Sequence, residues 1–224
     1  METWPFEFVE LNYTNLHEYT ALPLDMLVQY PLQQVSDIVR VHVLRDNGGV
    51  WLDADTIVLG DLPEETLLGY PETGDNTIGF LRADPGAEMF KEWAAFQENT
   101  MRRFGGGCWW SMFGNDFTDP YIEGHPEIQI GDITNRWPET YMIGGHGPRM
   151  AKYIELYFAV TYSLEELRPT DLLMLHNSWT PEWYKALTRS EVLEARGTLS
   201  NILNEIHHHG RRQVSEVVET EAPN

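Results

Sequence analysis

The stretch from Ser36 to Asp55 constrains this chain more than any other. Its first part, Ser36-Asp37-Ile38-Val39-Arg40, lies where Ile38, Val39, His42 and Val43 recur at helical spacing. Ser36 reads as the N-cap and Asp37 falls in the first turn, where the helix dipole favours an anion. Asn47-Gly48 offers the left-handed residue that stops such a helix, and Val50-Trp51-Leu52 then reads as a short apolar strand. At the mouth of that strand stand Asp53 and Asp55. Side chains at i and i+2 of a strand share a side, so a turn just after Leu52 lets both carboxylates reach one hard cation. A divalent ion held by one or two carboxylates keeps open positions for the oxygens of a phosphate ligand. The spacing predicts a metal-bridged diphosphate; the plainer alternative is a turn whose Asp side chains bond nearby backbone N–H groups.

The chain is 224 residues long and 42% apolar, enough for one good core. A single α/β domain is expected over residues 1–188, followed by a C-terminal helix and acidic tail over 189–224. No apolar run approaches the roughly 20 residues of a spanning helix, and Met1 to Glu7 lacks the basic and apolar blocks of a signal peptide. A cytoplasmic protein without a transmembrane segment is expected, in peripheral contact with the inner face of a membrane at most. Cys108 is the lone cysteine, so it has no intrachain partner and reads as a buried, inert thiol. The formal charge of -20 argues against nucleic acid and against broad contact with anionic lipid. An anionic ligand must therefore be drawn in by local positive charge, such as a metal or Arg40.

Elsewhere the pattern predicts a strand over Phe6 to Leu11, a strand over Thr77 to Leu81 and an amphipathic helix from Pro85 to Phe104 ended by Gly105-Gly106-Gly107. Cys108 to Pro148, rich in Trp, Gly, Pro, Asn and Asp, reads as a long ordered loop of the kind that carries specificity. Within it Gly114-Asn115-Asp116 and Gly144 to Pro148 are candidates for an acceptor side or simple turns. Helix is expected again over Met150 to Tyr162, a buried strand over Leu172 to Leu175, a helical turn from Pro181, a surface helix over Ser190 to His209 and a frayed tail after Gln213.

The series Ser-Asp-x-x-Arg, Gly-Gly and apolar-Leu-Asp-x-Asp, standing in order across Ser36 to Asp55, resembles the DXD glycosyltransferases of the GT-A fold. It is most similar to the capsular polysaccharide synthesis proteins and the related DXD sugar transferases. Thinner similarity runs from Asn12-Tyr13 to Leu22-Pro23 and over His176-Asn177-Ser178-Trp179. The resemblance implies a GT-A-like domain, here lacking the usual first strand and helix; either Phe8 to Leu11 and the loop through Tyr19 hold the base weakly, or the missing element comes from a partner chain or an upstream start. It implies a hexosyltransferase moving sugar from a UDP- or GDP-linked donor to a saccharide acceptor, with retention, using Mn²⁺ or Mg²⁺.

By the same resemblance Asp55 ligates the metal and Asp53 lies near the ribose, the sugar or the metal's water. Asp37 and Arg40 face the donor sugar, with Ser36, Gly49 and Trp51 beside it. His176 or Asn177 completes the metal shell, and Ser178 and Trp179 lie near the diphosphate. Plainer readings stand beside these: a surface ion pair for Asp37 and Arg40, a core aromatic for Trp51, a structural hydrogen-bonder for His176. Two rival functions remain, a non-catalytic saccharide-binding relative of the same fold and a DxD phosphohydrolase. In the second, Ile57 occupies the place where that motif expects Thr.

Overall fold

In a computed structural model of the protein, the described residues are 7–59, 61–69, 76–132, 146–163 and 172–208. The fold is mixed α/β, and its residues divide into two compact units, Val9–Ile133 and Met1–Phe8 with Thr134–Asn224. The first unit holds the Ser36 to Asp55 stretch. Its short helix α1 (Leu24–Leu27) leads into α2 (Leu32–Asn47). Helix α2 starts one turn earlier than the capping pattern predicts, because Pro31, with φ fixed at -57° and ψ at 150°, already sets the extended entry. Ser36 thus lies inside the helix and caps nothing. The stop is where the sequence puts it: Gly48, at φ 68° and ψ -158°, donates its N–H to the Leu44 carbonyl at 2.8 Å.

Strands β1 (Gly49–Leu52), β2 (Thr56–Val58), β3 (Leu67–Gly69), β4 (Asn76–Ala83) and β5 (Ile130–Asp132) follow in chain order. Four of them form a mixed sheet in the order β1-β4-β3-β5, with β1/β4 and β3/β4 antiparallel and β3/β5 parallel. The strand expected over Thr77 to Leu81 is the middle of β4. Strands β3 and β5, three residues each, are too short to display any alternation. The strand expected over Phe6 to Leu11 is absent from its described part, residues 7–11, where Phe8 is 87% exposed.

Helix α3 (Glu88–Phe104) ends at Gly105, φ 53°, as the glycine run predicts. The segment read as loop from Cys108 contains helix α4 (Asn115–Gly124), strand β5 and the start of helix α5 (His146–Ile154); residues 133–145 lie outside the described ones. Pro120 and the surrounding Gly, Asn and Asp hid α4, whose aromatic side chains nevertheless stack at i, i+4. Phe117 lies on Trp93 at 5.4 Å and on Tyr121 at 5.1 Å, and Tyr121 on His125 at 4.0 Å.

The core lies on two faces of α2. One cluster gathers Leu27, Tyr30, Val35, Ile38, Val39, Met101 and Phe113, the other Val41, Leu44, Leu67, Leu81, Phe90 and Trp93, with Trp51 packed against both. Cys108 is half-buried rather than buried, and its partial burial pushes the thiol pKa up.

In the second unit, α5 continues as a π-helical turn (Glu155–Ala159), then come β6 (Leu172–Met174), a 3-10 turn (Asn177–Trp179) and α6 (Glu182–Lys185). The surface helix expected over Ser190 to His209 is instead α7 (Arg189–Glu194) and a helix α8 over 198–208, broken at Gly197. Burial of Thr198, Leu199, Ser200 and Ile202 makes α8 part of that unit's core. The tail after Gln213 and the last of the three histidines lie outside the described residues.

The α2–β1 corner generates a prediction. A Cβ on Gly48 would stand 2.6 Å from Pro85 Cδ and 2.9 Å from the Ala83 carbonyl oxygen, at a backbone conformation open almost only to glycine. A Cβ on Gly49, φ 96°, meets nothing within 4 Å. Gly48→Ala is expected to cost about 3 kcal/mol or more and Gly49→Ala about 1–2 kcal/mol. Urea midpoints of the two variants, compared with wild type, check the order.

Candidate functional site

Two turns of α2 set the site. Arg40 is 3% exposed, and a guanidinium in that position needs acceptors for all its N–H groups. Within its own helix Nε donates to the Ser36 carbonyl at 3.3 Å and Nη2 to the Ser36 hydroxyl at 3.1 Å. Nη2 also pairs with Asp37 Oδ1 at 2.9 Å. Across the unit, Nη2 meets Asp53 Oδ1 at 3.1 Å and Nη1 meets Asp53 Oδ2 at 3.4 Å, while Nη1 donates to the Ile78 carbonyl of β4. The plane of charge also lies 5.4 Å from the Trp51 ring centroid. Arg40 therefore fastens α2 to the end of β1 and to β4 at once.

The carboxylate of Asp53 is held from two sides. Trp51 Nε1 donates to its Oδ1 at 2.9 Å, so the aromatic read as either core or site residue serves in both ways. The backbone N–H of Asp53 donates to the Gly79 carbonyl at 2.8 Å, and its own carbonyl accepts from Thr56 N–H at 2.9 Å. That second bond closes a tight turn, Asp53 to Thr56. The turn expected just after Leu52 is there: β1 ends at Leu52, and Asp55 is the third residue of the turn, so the two carboxylates stand on a turn rather than along one strand face. The Asp53 side chain is 32% exposed, against 4% for Arg40 and 12% for Asp37. Asp37 and Arg40 form neither an exposed surface pair nor an open contact surface; Asp53 is the exposed end of their network.

Among the described residues no three His, Cys, Asp or Glu side chains group as a preformed metal cage. The donor set at the turn nevertheless suits a hard divalent ion that keeps waters and ligand oxygens: oriented carboxylate oxygen, a second Asp two residues on, and the buried Thr56 hydroxyl, which has no hydrogen-bond partner. Gly49 stands at the opposite end of β1 from Asp53, paired with Ala83. His176, Ser178 and Trp179 belong to the second unit. There the His176 ring stacks on Trp179 at 4.2 Å, Tyr153 meets both edge-on, and the His176 N–H donates to the Tyr153 hydroxyl at 3.2 Å.

Sequence reasoning passed over Gln97, fully buried on α3, whose Nε2 donates to the Asp37 carbonyl at 2.9 Å and the Phe113 carbonyl at 2.7 Å. A signal existed: Gln97 is a polar residue in the apolar stripe of Met89, Phe90, Trp93, Ala94 and Met101.

Burial shapes the charges. The Asp37 carboxyl is pushed up to about 6 by burial, against the pull of Arg40 and with a further push from Asp53. His42, 1% exposed on the same helix, is lowered to about 4 by burial and by Arg45, opposed by Glu98 and Asp46. The raised Asp37 value means that its contribution is full below 3.8, the ordinary carboxyl value, and is lost as pH rises through about 6. The lowered His42 value means that its contribution is full above 6.5 and is lost as pH falls through about 4. The two slopes oppose each other between pH 4 and 6. In metal-free buffer Asp37→Asn is expected to unmask a falling urea midpoint on acidification, and His42→Leu a rising one. A profile for Asp37→Asn that parallels wild type would contradict this account. Arg40→Lys keeps the charge but loses the planar fork, and about 2–4 kcal/mol of stability is expected to go with it, measured by urea unfolding.

Comparison with known proteins bears on this unit. The family model described as capsular polysaccharide synthesis protein matches residues 5–103, which include α2, the Asp53 turn, β4 and most of α3. Neither curated proteins nor solved structures give a match. No described helix is long and apolar enough to cross a membrane. Residues 5–103 are thus similar to capsular polysaccharide synthesis proteins, the family that the Ser36 to Asp55 series resembles.

Proposed function

We propose that the chain is a metal-dependent glycosyltransferase of GT-A type that moves a hexosyl group from a UDP- or GDP-linked donor to a saccharide acceptor during polysaccharide synthesis in the cytoplasm. The observation that carries this reading is the Arg40 clamp on Asp53, which presents one oriented, part-exposed carboxylate at a tight turn inside the matched segment. Arg40 and Asp37, buried behind it, are positioning residues. Asp53 accepts hydroxyl hydrogen bonds from the ribose or the sugar, or from a water on the metal, and its fixed orientation selects one donor pose. Asp55 is the direct metal ligand in this reading. Mn²⁺ or Mg²⁺ bound there would offset the charge of the departing diphosphate.

In the transfer, the bond between the sugar C1 and the β-phosphate oxygen breaks, and its electron pair leaves with the diphosphate. The acceptor hydroxyl oxygen forms the new bond to C1, and its proton passes to the departing phosphate oxygen. Attack from the face that the diphosphate leaves gives retention. The local charge favours a cation: Asp37 and Asp53 outnumber Arg40, the one cation paired with both, before Asp55 is counted.

Asp55→Ala is expected to abolish Mn²⁺-dependent release of UDP or GDP from a panel of sugar nucleotides. Its circular dichroism spectrum should stay near that of wild type, since a turn residue outside the core costs little stability. EDTA should silence the wild-type enzyme and Mn²⁺ should restore it. Full turnover in the variant sinks the metal assignment, and phosphate-ester hydrolysis without sugar transfer would favour the phosphohydrolase.

A further inference from the structure

Trp109 and Trp110 are 53% and 76% exposed, in a stretch whose backbone is otherwise pinned. Gln34 Nε2 donates to the Cys108 carbonyl at 3.1 Å and the Trp109 carbonyl at 3.2 Å. The Phe113 carbonyl accepts from both Trp93 Nε1 and Gln97 Nε2, and Met112 and Phe113 are buried. The Trp109 ring is itself fixed: its Nε1 donates to Asp116 Oδ2 at 2.7 Å, and Asp116 Oδ1 accepts from the Ser111 hydroxyl at 2.6 Å. Phe104 meets the same ring edge-on at 6.0 Å. A large apolar side chain has thus lost its rotamer freedom while keeping about half its surface in water, the arrangement of a preorganised contact platform.

The platform is mounted on the same framework as the Asp53 turn. Gln34 lies one turn before Asp37 on α2. Gly114 closes the stretch against Ile78, where a Cβ would come within 2.6 Å of Ile78 Cδ1, and the Ile78 carbonyl accepts from Arg40. An exposed indole pair beside a carboxylate suits a ligand that carries both C–H faces and hydroxyls, which is the surface of a pyranose ring. The formal charge of -20 disfavours an anionic bilayer or an anionic polymer as the occupant.

We propose that Trp109 and Trp110, braced by Asp116, form a subsite for a neutral saccharide chain. Its description as the acceptor subsite rests on the transferase reading above; the binding itself does not. Sugar rings stack on the indole faces.

The test uses the full chain labelled with 5-fluorotryptophan and titrated, without donor, with neutral hexasaccharides of glucose, galactose and mannose. Fluorine resonances are assigned through Trp109→Phe and Trp110→Phe. The expected result is that these two resonances move and the others do not, and that Trp110→Ala weakens binding about tenfold at an unchanged urea midpoint. In a transfer assay Trp110→Ala should raise the acceptor KM about tenfold and the donor KM less than twofold. Movement of the two resonances without any donor turnover keeps the subsite and removes the transferase reading. Turnover with an unaltered acceptor KM in Trp110→Ala, or no movement with any hexasaccharide, overturns the subsite. Movement with phosphatidylcholine–phosphatidylglycerol vesicles alone overturns it in favour of a lipid surface.

Discussion

The contact between Arg40 and Asp53 joins the parts of the N-terminal unit that would otherwise be independent. A guanidinium taken out of water costs several kcal/mol unless each N–H finds an acceptor, and Arg40 finds its acceptors on three different elements: Ser36 and Asp37 on α2, Asp53 after β1, and the Ile78 carbonyl on β4. The helix can therefore sit on the sheet in one register only. A slip of either element would leave a buried cation short of partners. Hydrophobic burial around Ile38, Phe80, Leu81 and Trp93 supplies the driving force for collapse, while the ionic cluster selects the arrangement.

The cluster is backed by neutral amides rather than by further charge. Gln97 ties the backbone of Asp37 to that of Phe113, and Gln34 ties α2 to the tryptophan stretch. Amide side chains do this without adding a titratable group. The oxygens Gln34 Oε1 and Gln97 Oε1 remain buried without a hydrogen-bond partner. That cost, on the order of 1–3 kcal/mol each, is borne at the positions that hold the site together.

The order helix, glycine, strand, acidic turn was legible because each step rests on local chemistry: periodicity for α2, a left-handed glycine for its end, and apolar residues for β1. The helix Glu88–Phe104 and the strand Leu172–Met174 were legible for the same reason. What escaped depends on residues far apart in sequence. That Arg40 turns inward follows from β4 returning to offer the Ile78 carbonyl, and nothing between Ser36 and Asp55 states this. Strands β3 and β5 exist only as neighbours of β4 and of each other. Helix α4 carries Pro120, and its tertiary aromatic stack on Trp93 outweighs a poor local propensity. The capping role given to Ser36 failed because Pro31 had already begun the helix.

Gly48 also governs how the unit can move. With the Pro85 ring against it and the Gly86 N–H donating to the Arg45 carbonyl at 2.8 Å, the end of α2, the start of β1 and the head of α3 are stitched into one plate. A hinge needs backbone that can change φ and ψ without collision; Gly48 has none to spare, and Gly49, with nothing within 4 Å of a Cβ, is the freer residue of the corner. Ligand entry at the Asp53 turn therefore draws on side-chain rotation and on the turn itself, with the helix and sheet behaving as an anvil. Heating should loosen the Asp53–Thr56 turn well before it parts α2 from β1.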